Sequence, residues 1–206
     1  MRNTERTVSE NNCAAPNEDE CLTPNSHYAV SKAAASQYIG YVGRLRTLPI
    51  VVLRIYSAYG PYEDISRLIP NIVRHGLRGA FPTFVDPNTS RDFVYVDDLT
   101  EAFIIAAKEL KPSLYGEVFN IGSGERTTIC ELALLAKELF GIKASPVFNT
   151  MPSRTWDLAN WFANPAKARR LLGWSTRTPL SVGLRKAAEF FQSTPQHVLQ
   201  RMSKHP

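Results

Sequence analysis

Two short apolar runs constrain the fold more than any other feature. Ile50-Val51-Val52-Leu53-Arg54-Ile55, after Pro49, is β-branched and nearly continuous, and Val118-Phe119-Asn120-Ile121 repeats the pattern. Runs without polar alternation read as strands covered on both faces, the habit of a parallel sheet. Helical periods surround them. One spans Tyr28 to Val42, and a second spans Ser66 to Leu77 with Pro70 in its first turn. Asp98-x-x-Glu101 reads as an N-cap signature for a helix to about Leu110, after the short strand Phe93-Val94-Tyr95-Val96. Thr128-x-x-Glu131 is a capping box whose helix stops at Gly141. Asn164-Pro165 starts a short helix closed by Gly173, and Thr178-Pro179 precedes a last helix with Leu184, Ala188 and Phe191 on one face. Strands alternating with helices give an α/β fold with a parallel sheet. Only the strands at 50–57 and 117–121 look central, so the rest of a doubly wound sheet is expected upstream of this sequence. Arg2 to Thr23 reads as a polar loop or frayed terminus, and a loose tail is expected from Ser193 onward.

A chain of 206 residues with 44% hydrophobic and 21% charged content can bury a real core. No apolar run approaches a membrane span, and Met1 to Glu20 lack the apolar centre of a secretory signal. Cys13, Cys21 and Cys130 show no metal-ligand spacing, and their odd number argues against a disulfide framework, so a reducing cytoplasm is the expected setting. The net charge of +5 is scattered, with only Lys167, Arg169 and Arg170 close together. Such a pattern excludes nucleic acid as the expected partner and leaves arginines to face a small phosphorylated molecule.

The chemistry concentrates at Tyr28 and Lys32, which share a helix face at i, i+4 spacing. An ammonium beside a phenol favours the phenolate, and a phenol so placed can exchange a proton with a hydroxyl or carbonyl. Ala29, Ser31, Ala33, Ala34 and Ala35 around the pair suggest a buried helix. Its stripe of Ala29, Ala33, Tyr38 and Val42 also suits contact with another helix. Gly122-Ser123-Gly124-Glu125-Arg126-Thr127 follows a strand like a dinucleotide fingerprint, but Thr127 stands where a small third residue is needed. It reads as a structural turn. Gly40-Tyr41-Val42-Gly43 lies at a helix end, so no pyrophosphate-binding loop is identified. Arg91 and Arg154 carry planar guanidinium groups that could clamp phosphate oxygens, or could form surface pairs such as Arg91 with Asp92. Tyr56 and Ser57 end a strand at the sheet edge where ligands collect. Asp97 and Asp98 read as caps favoured by the helix dipole, and His27, His75, His197 and His205 have no ligating spacing, so no metal site is expected.

Pro24-x-Ser26-x-Tyr28-x-x-Ser31-Lys32, Leu53 to Pro61, Arg91 to Asp98, Phe119 to Gly124 and Leu172-Gly173-Trp174 together resemble the extended short-chain dehydrogenase/reductases, the NAD-dependent nucleotide-sugar epimerases and dehydratases. The resemblance runs from about Pro24 to Phe191. It implies the C-terminal part of a Rossmann-like domain (24–60 and 91–125) interleaved with a small substrate-binding lobe (61–90 and 126–192), between a polar N-terminal loop (1–23) and a tail (193–206). The implied chemistry is transient oxidation to a keto sugar with NAD or NADP, Tyr28 moving the proton and Lys32 meeting the nicotinamide ribose, with Tyr56 beside the cofactor. Ser57, Leu68, Arg91, Arg154 and Asp157 are the implied contacts to a nucleotide-diphosphate sugar, although the family often has Asn in place of Ser57. The family's glycine-rich opening half and its Ser or Thr ahead of the tyrosine are not found, which implies a truncated form with little affinity for NAD alone. The implied partner is a second copy through the Tyr28 helix, or a chain supplying the missing half. The alternative is a non-catalytic remnant or split subunit that binds a nucleotide sugar or a partner chain.

Overall fold

The computed structural model describes residues 15–152 and 159–202. Its elements follow in chain order as α1 (His27–Leu45), β1 (Val52–Ile55), β2 (Ser57–Tyr59), α2 (Leu68–Gly76), β3 (Ser90–Arg91), β4 (Phe93–Tyr95), α3 (Val96–Lys108), β5 (Val118–Ile121), β6 (Thr127–Thr128), α4 (Ile129–Phe140), α5 (Ala166–Leu172), α6 (Leu180–Ser193) and α7 (Gln196–Arg201). They form two compact units. The first takes the described residues through Ala58, with Arg91–Arg126 and Asn160–Arg177, and the second takes those of Tyr59–Ser90, Thr127–Ala159 and Thr178–Pro206.

In the first unit β1 and β5 pair in parallel, Leu53 opposite Phe119 and Arg54 opposite Asn120. Successive strand residues face opposite sides. One face therefore presents Phe119 and Ile121 to a core with Ala102 and Ala106 of α3 and Ala168 and Leu172 of α5. The other carries Arg54 and Asn120, and α1 packs against β1. Among the described residues β1 has a strand neighbour on one side only. The stretch 160–177, expected in the lobe, packs in this unit. Trp174 is buried in its core and donates from Nε1 to the Asp98 carbonyl at 2.9 Å.

Asp98 corrects a second expectation. The N-cap of α3 is Tyr95, with no side-chain cap, and Asp98 lies inside the helix. Its carboxylate accepts the backbone N–H of Arg177 at 3.1 Å. A tertiary donor has taken the oxygen that a cap would have used.

The second unit packs α2, α4 and α6 on one another, with Ile72, Val73, Leu132, Ala136 and Leu184 fully buried. The capping box forms in both directions: Thr128 Oγ1 accepts from Glu131 N at 3.1 Å, and a Glu131 carboxylate oxygen accepts from Thr128 N at 2.7 Å. Gly141 ends α4 in the left-handed conformation at φ 64°. Past Ser193 the chain does not trail off as expected, because Pro195 leads into the short helix α7.

Candidate active site

Ser26 caps α1 from an extended conformation, its Oγ accepting the Ala29 N–H at 3.2 Å. The helix is seated by small residues: Ala29, Ser36, Gly40 and Gly43 are its buried positions. A Cβ on Gly43 would stand 2.7 Å from the Gly116 Cα, so only glycine allows this approach. Arg44 Nη1 locks the seat by donating to the Gly116 carbonyl at 2.9 Å. Since the inward stripe consists of small residues, the large ones turn outward. Tyr28 is 55% exposed, and Lys32, Tyr38 and Tyr41 are also exposed. The expectation of a buried helix is corrected accordingly, as is Tyr38 in its inner stripe. The Lys32 Nζ lies 5.6 Å from the centroid of the Tyr28 ring, a cation–π arrangement that keeps ammonium and phenol on one face.

At the C-terminal end of β1, Tyr56 donates its N–H to the Ile121 carbonyl at 3.1 Å and sets its buried ring 5.5 Å from that of Trp161. Ser57 N donates to the Asp92 carbonyl at 2.8 Å. That bond ties the Tyr56-Ser57 pair to the strand residue next to Arg91, which is half-buried. Asp92 itself is fully buried. One carboxylate oxygen accepts from Ser123 N at 2.7 Å and Ser123 Oγ at 2.6 Å, and the other from Gly124 N at 3.1 Å and Ala163 N at 2.9 Å. Burial pushes this carboxyl above the usual range, and the hydrogen bonds to its charged form pull it back. A Cβ on Gly122 would stand 2.6 Å from the Asp92 carboxylate, which is why a glycine opens the turn. The backbone N–H groups of Ser123 and Gly124 are thus spent on Asp92. The turn is structural, as its sequence suggests.

Residues 15–20 are not a frayed end. Glu18 Oε1 accepts the Asn120 N–H at 2.8 Å, Arg54 Nη1 donates to the Glu18 carbonyl at 3.3 Å, and Asn120 Nδ2 donates to the Pro16 carbonyl at 3.1 Å. Burial pushes the Arg54 guanidinium down and the Glu18 charge draws it back up. Sequence reasoning passed over Glu18, Arg54, Asn120 and Asp92. The available signal was Arg54 and Asn120, single polar residues inside two apolar strands that meet in register.

The candidates therefore fall into three groups. Tyr28 and Lys32 share the outer face of α1, and Tyr56, Ser57 and Arg91 gather at the β1 end of the first unit. Leu68 opens α2 in the second unit, half-buried, with Ile69 and Pro70 in that unit's core. Arg154 and Asp157 lie outside the described residues. Among the described residues there is no group of three or more His, Cys, Asp or Glu fit to hold a metal ion, and no helix long and apolar enough to cross a membrane.

Residues 7–122 match the model of the NAD dependent epimerase/dehydratase family. The chain belongs to that family. It is 31% identical over 183 residues to UDP-glucose 4-epimerase of Mycolicibacterium smegmatis, covering 87% of this chain and 57% of that protein. Among solved structures it resembles UDP-glucose 4-epimerase of Thermotoga maritima with UDP-glucose, at 32% identity and TM-score 0.77, covering 89% of this chain and 59% of the other. It likewise resembles dTDP-glucose 4,6-dehydratase of Bacillus anthracis in complex with NAD, at 26% identity and TM-score 0.78, covering 92% and 59%. The chain thus spans little more than half the length of these relatives, and its fold is the C-terminal part of their Rossmann-like architecture.

Proposed function

We propose that this chain supplies the proton-transfer helix and the nucleotide-sugar face of an NAD-dependent nucleotide-sugar epimerase or dehydratase. The observation that carries the reading is the Tyr28–Lys32 pair, held outward on a helix whose inner face is locked to Gly116. In this reading Tyr28 exchanges a proton with a sugar hydroxyl during the cycle, and the Lys32 ammonium stands beside its ring on the same helix face. By the same resemblance Arg91 and Arg154 are proposed for the diphosphate, Asp157 for the nucleoside ribose, Ser57 for a sugar or phosphate oxygen and Leu68 for the base. The second unit is the substrate lobe.

The residues present fit one end of NAD. Tyr28, Lys32 and Tyr56 suit the nicotinamide ribose, but the Gly122-Ser123-Gly124 turn after β5 has the N–H groups of Ser123 and Gly124 committed to Asp92. A pyrophosphate needs such groups free at a helix N-terminus. No hydride step is assigned to this chain by itself. We expect Tyr28→Phe to abolish turnover of a nucleotide sugar in an active assembly containing the chain, with ligand binding retained. Near-normal turnover by that variant would end the assignment.

A second reading is favoured by β1, which among the described residues is paired on one side and whose Leu53 and Ile55 are only partly buried. Here the chain docks a partner, either a second copy through the exposed face of α1 or a chain that adds strands beside β1. We expect the isolated chain to self-associate on a sizing column and to show no tight NAD site by calorimetry. A well-behaved monomer binding NAD stoichiometrically would contradict both expectations.

A further inference from the structure

We propose that Asp92 is the positioning residue of the candidate site, clamping three chain segments so that Tyr56, Ser57 and Arg91 keep fixed places at the end of β1. The proposal rests on the nucleotide-sugar reading only for the identity of the ligand. Its geometric basis is separate.

Around Asp92, which lies between β3 and β4, burial alternates: Ser90, Asp92 and Val94 are fully buried, whereas Arg91 and Phe93 are half-buried. Alternation turns the Asp92 carboxylate inward and the neighbouring guanidinium the other way. Inside, both carboxylate oxygens are used. Oδ1 holds the Ser123 N–H and hydroxyl, and Oδ2 holds the N–H groups of Gly124 and Ala163. The carbonyl of the same residue takes the Ser57 N–H at 2.8 Å. One residue therefore joins the strand beside Arg91 to the turn after β5, to the segment ahead of α5, and to the residue after Tyr56. The Trp161 ring against Tyr56 belongs to that same segment, two residues before Ala163.

This arrangement is built for a side chain with two acceptors. All four donors converge on two oxygens, so a side chain that offers acceptors alone satisfies them. An asparagine is nearly isosteric, but in either amide orientation its NH2 group faces a backbone N–H, that of Ser123 on one side or those of Gly124 and Ala163 on the other. The clamp fails through chemistry rather than size, which makes it testable without creating a cavity.

The experiment uses the full chain with UDP-glucose as probe. In Asp92→Asn, amide exchange should accelerate at Ser57, Ser123, Gly124 and Ala163. The dissociation constant for UDP-glucose should rise about tenfold or more at temperatures where circular dichroism shows the variant folded. Ser123→Ala, which keeps the Ser123 N–H on Asp92 but deletes the hydroxyl bond to it and the acceptor of the Glu125 N–H, should weaken binding by a smaller factor. It carries the test if Asp92→Asn does not fold. Thr128→Ala, in the other unit, should lower stability without changing affinity. A merely structural Asp92 would lower the melting temperature and leave affinity as in the parent, and that result would overturn the proposal. Unchanged exchange at Ser57 would also overturn it. If the parent chain bound no UDP-glucose, the nucleotide-sugar reading would fall, and the exchange at Ser57 would still decide whether the clamp exists.

Discussion

Asp92 in the first unit and Glu63 in the second are both carboxylates taken out of water, and they meet opposite fates. Asp92 receives four donors on its two oxygens. Glu63 has Arg67 Nε at 3.8 Å from one oxygen, while its other oxygen is buried with no hydrogen-bond partner. Burial raises both groups. At Asp92 hydrogen bonds oppose the effect, whereas at Glu63 burial prevails over Arg67 and the Gly60 backbone and pushes the carboxyl up to about 7. Glu63 also follows Tyr62, a non-glycine residue at φ 64° whose ring meets Phe190 edge-on at 5.0 Å. The same functional group thus organises one unit and burdens the other. What separates them is the supply of donors rather than the depth of burial.

Removing each carboxylate is the direct way to break this comparison. Asp92→Ala should have the largest effect, because it leaves three N–H groups without acceptors, that of Ala163 buried and those of Ser123 and Gly124 part-buried, at roughly 1–3 kcal/mol each. Urea unfolding should show the first unit destabilised by at least about 3 kcal/mol, and a loss below about 1 kcal/mol would mean that water replaces the carboxylate.

Glu63→Gln should act in the reverse direction. With a folded pKa of about 7 against an unfolded value near 4.5, the native state holds the extra proton between them. Glu63 therefore costs nothing below the lower value, and stability is lost as pH rises through about 7. The parent should lose on the order of 2–3 kcal/mol across that window, and the glutamine variant should not. Parallel stability curves for parent and variant from pH 5 to 8 would remove Glu63 from the account.

The smallest effect is expected for Thr128→Ala. The Glu131 carboxylate accepts from Thr128 N and Oγ1, and losing the cap should cost about 1 kcal/mol by thermal or urea unfolding. A loss comparable to that of Asp92→Ala would show that the box also anchors tertiary structure.

The contrast among these three carboxylates also marks what was legible beforehand. Thr128 and Glu131 sit three positions apart, and a capping box needs nothing beyond those residues, so it formed as read. The strands at 52–55 and 118–121, the glycines at 141 and 173 that end helices, and the Tyr28–Lys32 face are legible for the same reason: each follows from local spacing and backbone preference. Asp92 meets Ser123, Gly124 and Ala163 at separations of 31, 32 and 71 positions, and Glu18 meets Asn120 across 102. No local pattern announces such partners. The same limit misplaced Asp98, whose capping spacing was genuine but whose oxygen went to Arg177. It also misjudged α1, because alanines and glycines show that something approaches closely without showing which face it takes. By itself the sequence determined the α/β class, the order of most elements and the spacing that puts Tyr28 and Lys32 on one helix face. Only the tertiary structure decided which polar groups would be buried, since that depends on whether distant segments bring enough donors to offset the loss of water.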